Sequence, residues 1–228
     1  LTMNKKHKEK AALITKPDYP LEEAVGMLTE LSTSSFDGTA EVHIVLGIDT
    51  KAGDQQVRST VALPNGTGKD VRIAAIVPED KAKEMKDAGA VAAGEESLIK
   101  EIEKGNLDFD VLIAMPTVMK NLGKVAKTLG QKGLMPNPKA GTVSDDPVKT
   151  IGELKKGRVE LRADKQGIVH TIFGKISFGK EKLVENLNTL LHALNEVKPS
   201  SLKAEYIKSI TLCPSMGPGV KVDLSSLS

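Results

Sequence analysis

Several segments of the chain contain residue types that could bind phosphate, hold a metal ion or act as a nucleophile. Gly66-Thr-Gly-Lys69 has the glycines and the lysine of a phosphate-binding loop. Its spacing is wrong, because such a loop has four residues between its glycines and a Ser or Thr after the lysine, where this chain has Asp70. We therefore interpret the segment as a linker turn. No G-x-G-x-x-G motif follows the strand predicted to end at Val77, so a dinucleotide site is not predicted either.

The histidines are the next candidates for metal binding or catalysis. His7, His43, His170 and His192 lack the H-E-x-x-H spacing of a zinc site. We expect His43, in a strand, and His192, on a helix, to be ordinary packing or surface residues. His170 lies close to a predicted turn and is better placed to contact a ligand.

The cysteine and two adjacent aspartates complete the set of candidates. Cys213 has no neighbouring base in the sequence, which a reactive thiol needs, so we expect a buried strand residue. Asp145 and Asp146 resemble a metal-binding pair, but Pro147 follows and a helix begins, so helix capping explains them. We predict no catalytic residue, no cofactor and no metal site.

The composition limits the class of protein. With 228 residues, the chain is long enough for one large domain or two ordinary ones. The single cysteine excludes an internal disulfide, and a reducing cytosolic compartment fits best. We expect neither a membrane span nor a secretory signal, because the apolar runs are short and the first residues are rich in lysine. The net charge of +2 is evenly distributed, so a basic patch would have to be made by folding.

Three features favour RNA as a partner. Phe36 stands alone among polar residues, where it either caps the core or contacts a ligand. Ser215–Gly219 is a Gly/Pro turn that either brings backbone N–H groups close to phosphates or simply joins two strands. Residues 111–144 hold five lysines and no carboxylate, and either bind RNA or form a solvated face. Within them, Gly130–Lys139 is predicted to be a rigid loop, neither helix nor strand. Aromatic residues make up only 3%, which argues against a base-stacking platform.

The hydrophobic periodicity predicts two kinds of architecture along the chain. Toward the two ends it predicts amphipathic helices and antiparallel strands: helices over 5–14, from Pro20 and over 182–197, a hairpin of strands 39–49 and 56–63 through Gly53-Asp54, a hairpin of strands 158–163 and 168–173 around Asp164–Gly167, and strands over 205–212 and 220–223. The middle predicts a βαβαβα order, typical of a parallel sheet between helices: strands over 71–77, 90–93 and 110–115, with helices over 79–88, 95–104, 118–129 and 148–156.

Each chain end is too small to bury a good core alone. We therefore predict an α+β outer domain built from both chain ends, residues 1–66 with 157–228. An inserted three-layer α/β domain, Rossmann-like with a parallel sheet, would comprise residues 67–156. Two linkers lying side by side would permit a hinge motion between the domains.

Motifs distributed in order over the whole chain add a family resemblance. They are SSFDGTAEV (34–42), LGID (46–49), LPNGTGK (63–69), LDFDVLIAMP (107–116), GLMPNPK with GTV (133–143), DKQGIVHTIFGK (164–175) and SMGPG (215–219). Together they resemble the bacterial branch of the L-one family of large-subunit ribosomal proteins.

The resemblance implies a non-enzymatic, cytoplasmic protein of the large ribosomal subunit. It implies binding to the ribosomal RNA of the mobile stalk next to the transfer-RNA exit site, and assistance in releasing deacylated transfer RNA. It also implies repression of translation of the chain's own messenger RNA. The implied partners are therefore the ribosomal RNA, exit-site transfer RNA and the messenger RNA, with no membrane and no small-molecule substrate.

The resemblance further implies an RNA-binding surface on the outer domain. By the resemblance, its residues are Phe36, Thr39, Glu41, Ser209, Ser215, Met216 and Gly217. We add Lys165, Gly167 and His170, in or near a predicted turn, as further RNA-binding residues. We expect secondary RNA contacts from Lys5 and Lys6 near the first residue and from Lys132 and Lys139 in the inserted domain. The chain departs from the family pattern at four places. At the first, Asn65 replaces a frequent histidine in a linker turn. Ser215 stands where threonine is usual, Cys213-Pro214 replaces a usual pair of threonines, and Gln131-Lys132 replaces Pro-Arg or Pro-Lys.

Two other functions remain as alternatives. An α/β nucleotide-binding enzyme built on residues 67–156 would bind ATP or NAD saturably. A free translational regulator would act on messenger RNA alone and would not sediment with the large subunit.

Overall fold

The computed structural model describes residues 5–50, 52, 55–202 and 205–227, apart from the side chains of Lys139 and Leu227. Contacts between Cα atoms divide the chain into two compact units, Leu1–Gly68 with Gly157–Ser228 and Lys69–Lys156. That these units are separate domains, with an insertion over 67–156, stays a prediction.

The described part of the chain contains helices and strands in both units. The helices are α1 (Lys5–Ala11), α2 (Leu21–Leu31), α3 (Ala82–Asp87), α4 (Glu96–Glu103), α5 (Ala126–Lys132), α6 (Pro147–Lys155) and α7 (Lys180–Glu196). The strands are β1 (Thr39–Leu46), β2 (Arg58–Ala62), β3 (Ile73–Ile76), β4 (Ala92–Gly94), β5 (Val111–Ala114), β6 (Arg158–Arg162), β7 (Ile168–Lys175), β8 (Ile207–Pro214) and β9 (Val220–Val222).

A four-stranded antiparallel sheet in the order β7–β1–β8–β9 forms the centre of the first unit. β1 alternates strictly, and its buried residues share one face of the sheet: Ala40, Val42, Ile44 and Leu46. The leucine-rich stripes of α2 and α7 pack into the same core as this face. The opposite face of β1 is half-exposed and mostly polar, as expected for an antiparallel sheet with one solvated side.

The predicted hairpin between the first two strands is wrong. Both edges of β1 are occupied by β7 and β8, so β2 pairs instead with β6, from Arg58↔Arg162 to Ala62↔Arg158. The Gly53-Asp54 turn of that prediction lies outside the described residues. The second predicted hairpin is only partly correct. Its Asp164–Gly167 turn forms, but a single bridge, Ala163↔Val169, precedes the divergence of the two strands into different sheets.

The second unit contains the predicted parallel sheet, with strand order β4–β3–β5. β3 is buried along its whole length, as expected for the central strand of such a sheet. Asp146 caps α6, because its Oδ1 accepts a hydrogen bond from Lys149 N at 3.2 Å. The helix predicted over 118–129 is wrong: 3₁₀ turns at Pro116–Val118 and Asn121–Lys124 precede α5. Gly123 lies within that stretch and has low helix propensity.

The segment Gly130–Lys139 is less irregular than predicted. Its first three residues belong to α5, which ends where Gly133 adopts the left-handed conformation at φ 72°. Past Pro136 the loop closes on itself, since Thr142 Oγ1 accepts from Asn137 N at 2.8 Å. The next residue, Val143, then forms a parallel bridge with Ala114 at the end of β5. The loop is therefore an anchored edge of the parallel sheet.

The two crossings between the units touch each other within the first unit. A Cβ on Gly157 (φ 94°) would lie 2.4 Å from Gly66 Cα, so this close approach requires glycine. Asn186 of α7, fully buried, holds the first crossing. Its Nδ2 donates to Gly66 O at 3.0 Å and to Phe173 O at 2.8 Å, and its Oδ1 accepts from Asn65 N at 3.0 Å.

We expect Asn186→Leu to lower the free energy of unfolding by about 2–4 kcal/mol, because it leaves buried backbone groups without partners. Urea unfolding followed by circular dichroism measures the change. Asn188→Leu, at an exposed position of the same helix, serves as the matched control. A loss below about 0.5 kcal/mol for Asn186→Leu, the usual range for surface changes, would contradict the structural role.

Candidate nucleic-acid interface

The open face of the four-stranded sheet brings together side chains from three strands. Its central row lies on β1 and consists of Thr39, Glu41, His43 and Val45, all half-exposed. The strand register places His170 of β7 and Thr211 of β8 on either side of His43, and Cys213 opposite Glu41. Because directly opposed residues have Cβ atoms about 4.5–5.5 Å apart, these side chains form one continuous surface.

One end of this face is organised by hydrogen bonds to Ser215. Its backbone N–H donates to Thr39 O at 2.9 Å, and its hydroxyl donates to the Glu41 carboxylate. Lys175 Nζ donates to Thr39 Oγ1 at 3.2 Å. The backbone hydrogen bonds between β1 and β8 therefore continue directly after Pro214. Ser215 also supplies the hydroxyl that the family resemblance leads us to expect. The structure thus brings three of the predicted site residues together.

Two exposed apolar side chains lie in the loops at this end. Phe36 precedes β1 and is 69% exposed, so it does not cap the core; Met216 follows β8 and is 54% exposed. Met216 O accepts hydrogen bonds from the backbone N–H of Thr33, at 2.9 Å, and from the Thr33 hydroxyl. Since Thr33 belongs to the segment that leads to Phe36, the two loops are tied together.

Gly217 is required by close packing in the turn after β8. A Cβ at this position would lie 2.5 Å from Leu31 O and 2.5 Å from Pro214 Cγ. The turn therefore lies directly on the end of α2. Its position on the sheet face depends on the absence of a side chain at Gly217.

Lys165, Gly167 and Ser209 lie toward the other end of the face, whereas His170 lies between the two ends, beside His43. Gly167 O accepts from Leu46 N at 2.9 Å, and Lys165 O accepts from Thr50 Oγ1 at 2.9 Å. Ser209 pairs with Val45. Glu41 and Val45 are separated by four residues of strand, about 13 Å at about 3.3 Å per residue. The structure therefore brings the ten predicted residues onto one face or its ends, but in two groups rather than one.

A side-chain cluster between the two groups was missed by sequence reasoning. His43 Nδ1 lies 2.8 Å from His170 Nδ1, and His43 Nε2 lies 3.2 Å from Cys213 Sγ. The prediction that Cys213 is buried is wrong: it is half-buried and faces the open side. Strand alternation could have placed His43 with Thr39 and Glu41. The partners of His43 come from distant strands, whose register the sequence does not reveal.

The environment shifts the pKa of several groups in this cluster. Burial lowers the pKa of His43, His170 lowers it further, and Glu41 opposes these effects. Burial, with a contribution from Glu41, raises the pKa of the Cys213 thiol to about 11. Beside the cluster, the pKa of Asp164 is lowered first by the Ile168 backbone N–H that it accepts from. At neutral pH the cluster therefore contains an uncharged imidazole and a protonated thiol.

The other sequence candidates lie outside this face. Lys5 and Lys6 are exposed on α1, and Lys132 is exposed at the end of α5 in the second unit. The side chain of Lys139 is outside the described residues. Gly66–Lys69 leads into a strand rather than a helix, and Lys69 Nζ lies 3.4 Å from Asp110 Oδ1. The linker interpretation stays a prediction. Among the described helices, none has both the length and the apolarity to cross a membrane.

We expect Gly217→Ala to lower the free energy of unfolding by about 1–3 kcal/mol, because the added Cβ forces the turn off the end of α2. A thermal or urea melt of the full chain measures this. Gly26→Ala is the control, since its Cβ would meet only Lys180 Cδ at 3.9 Å inside α2, and alanine favours a helix by about 1 kcal/mol. Equal stability of Gly217→Ala and the unchanged chain would refute the packing constraint.

Comparison with known proteins shows the family to which the chain belongs. The model of the "Ribosomal protein L1p/L10e family" matches residues 28–218. The chain is 50% identical to the large ribosomal subunit protein uL1 of Prochlorococcus marinus strain MIT 9312, over 99% of this chain and 97% of that protein. It is 48% identical to the protein of the same name from strain MIT 9211, with the same coverage. The family is structural rather than enzymatic, which excludes the nucleotide-binding enzyme. The chain belongs to the ribosomal protein L1p/L10e family.

Proposed function

We propose that the chain binds large-subunit ribosomal RNA through the open face of the four-stranded sheet, at the mobile stalk next to the transfer-RNA exit site. The observation that carries the proposal is the grouping of Thr39, Glu41 and Ser215, with Phe36 and Met216 exposed in the adjoining loops. Membership of the family supports an RNA-binding protein of the large subunit in the cytoplasmic ribosome. The stalk location and the contact residues are our proposal.

The chemistry of this group suits RNA recognised by shape and backbone. Ser215 occupies one carboxylate oxygen of Glu41, Oε1. The other oxygen, Oε2, is available to accept from a guanine edge or from a ribose 2′-OH. DNA lacks the 2′-OH, so that contact would favour RNA. Phe36 and Met216 would contact sugar or base faces from the two loops. A single aromatic ring does not form a platform for successive bases, so hydrogen bonds must supply most of the discrimination.

The second group extends the proposed contact along the strands. Lys165 would contribute a charge, Gly167 a close backbone approach, and His170 and Ser209 hydrogen bonds to phosphate or sugar. The face between Glu41 and Ser209 spans about 13 Å. A strip of this length is long enough to contact more than one nucleotide of a folded RNA.

The same surface would perform the finer functions that the resemblance implies. Repression of the chain's own messenger RNA requires that the message present a structure like the ribosomal site. One set of residues would then bind both RNAs, and a variant should lose both in parallel. Assistance in releasing deacylated transfer RNA would follow from a position beside the exit site. A translational reporter for the message and a transfer-RNA release assay on reconstituted ribosomes test these two steps separately.

We expect Met216→Ala and Ser215→Val each to weaken binding of a stalk-RNA fragment by about 1–3 kcal/mol, the range for stacking and edge contacts. Met216→Ala removes apolar contact, whereas Ser215→Val removes the hydroxyl that orients Glu41. Filter binding with the full chain at fixed salt measures both affinities.

Val91→Ala is the matched control for loss of an exposed apolar side chain, because Val91 is 58% exposed in the second unit. Unchanged affinity for both Met216→Ala and Ser215→Val would remove this end of the sheet from the interface. Sedimentation of cell extract tests the broader claim, since a free regulator of messenger RNA would remain off the large subunit.

We expect the double variant Lys5→Ala, Lys6→Ala to reduce the salt dependence of RNA binding without changing sequence preference. The slope of log K against log salt is negative, where K is the association constant. Each lost phosphate contact makes that slope shallower by about 0.7–0.9. Filter binding over a range of salt concentrations gives the slope. Lys83→Ala, Lys86→Ala, at exposed positions of α3, is the control. Identical slopes for both double variants would show that Lys5 and Lys6 make no phosphate contact.

A further inference from the structure

We infer that Glu41, His43 and Cys213 form a binding site for a zinc-class divalent transition-metal ion on the open face of the sheet. Each residue offers one ligand atom, and all three atoms lie within 4.8 Å of one another. His43 Nε2 is 3.2 Å from Cys213 Sγ and 3.9 Å from Glu41 Oε2. With Zn–S near 2.3 Å and Zn–N near 2.0–2.1 Å, tetrahedral ligand atoms lie about 3.5 Å apart. Small rotations of the side chains therefore close the site.

The sheet fixes the three ligands before any ion arrives. Glu41 and His43 are two residues apart on β1 and so project from the same face. Cys213 is the direct cross-strand partner of Glu41 on β8. All three residues are half-buried, so rigid strands hold them while one side remains open to solvent. Three protein ligands with one open position form a recognised zinc arrangement.

An outer shell of hydrogen bonds already orients two of the ligands. Ser215 donates to Glu41 Oε1, which leaves Oε2 facing His43 Nε2. On the other side of the imidazole, His43 Nδ1 lies 2.8 Å from His170 Nδ1, and His170 Nε2 lies 3.6 Å from Asp164 Oδ2. Metal-binding histidines usually donate their second N–H to such a partner.

For a neutral His170, the position of Asp164 selects one assignment of the imidazole protons. If His170 Nδ1 carried the proton and donated it to His43, the unprotonated Nε2 of His170 would face the Asp164 carboxylate. Two acceptors would then oppose each other. The opposite assignment has His43 Nδ1–H donate to His170 Nδ1, and His170 Nε2–H point toward Asp164. This leaves His43 Nε2 as a free acceptor, directed at Cys213 Sγ at 3.2 Å. The lone pair that a metal requires is therefore aimed at the other two ligands.

The donor set determines which ions fit. A thiolate and an imidazole favour zinc and related transition metals, whereas calcium and magnesium prefer oxygen ligands throughout. When the ion binds, Cys213 loses its thiol proton to solvent and coordinates as thiolate. The inference does not depend on RNA binding, because it uses only the positions of these side chains.

Cobalt(II) titration of the full chain, kept reduced with a phosphine and free of any affinity tag, tests the site. We expect one equivalent of cobalt to produce a thiolate-to-cobalt charge-transfer band together with the d–d bands of a tetrahedral ion. Zinc should displace cobalt and protect Cys213 from alkylation by iodoacetamide. Competition with a chromophoric chelator then gives the zinc affinity.

Three variants separate ligands from neighbours. Cys213→Ser should abolish the charge-transfer band and weaken zinc binding more than about 100-fold, beyond the range for loss of an outer-shell partner. His170→Ala should weaken binding about 10–100-fold yet keep the band at saturation, because it removes only that partner. His192→Ala should change nothing: His192 and Glu196 form an exposed surface pair at 3.6 Å and control for adventitious binding.

Circular dichroism confirms that each variant is folded before its affinity is compared. The inference is overturned if the unchanged chain shows no charge-transfer band. It is also overturned if zinc affinity survives intact in Cys213→Ser, or falls instead in His192→Ala.

Discussion

The antiparallel pairing of β1 with β8 is the contact on which the first unit depends. It joins residues from opposite parts of the chain, with Glu41 facing Cys213 and Val45 facing Ser209. The pairing fixes β1 between β7 and β8, which gives the helices α2 and α7 a single apolar face to cover. The same pairing leaves the other face open. The hydrophobic core and the candidate interface therefore lie on opposite faces of the same hydrogen-bonded sheet. A one-residue change in the register of β1 would exchange the residues on these two faces.

The open face combines groups that satisfy one another rather than one dominant charge. Glu41 accepts from Ser215, and His43 lies between His170 and Cys213. The chain as a whole has a net charge of only +2, so non-specific attraction to RNA is modest and the face must contribute specificity. The proposed metal site and the proposed RNA surface share Glu41. Occupation of one therefore has to be considered when the affinity of the other is measured.

Local sequence patterns predicted the helices and strands better than they predicted which strands pair with each other. The apolar stripes of α2 and α7, the parallel sheet and the Asp146 cap follow from residues close together in the sequence, and the structure contains all of them. The hairpin of β1 with β2 was wrong because both edges of β1 pair with strands distant in the sequence, β7 and β8, which local patterns do not show. The site was predicted from a family resemblance, and all ten residues lie on or beside one face. The cluster of His43, His170 and Cys213 was missed because its members come from three strands that are distant in the sequence.

The distribution of the first unit over both chain ends has a consequence for synthesis. β3, β4 and β5 lie close together in sequence, so the second unit can fold as soon as its own residues have left the ribosome. β1, by contrast, is made early and waits for β7 and β8, which are translated after the whole middle segment. Until then β1 lacks the partner strands of both its edges. A chain whose translation stops before residue 207 lacks β8 and the Ser215–Gly217 turn, so only a nearly finished polypeptide presents the assembled surface to RNA.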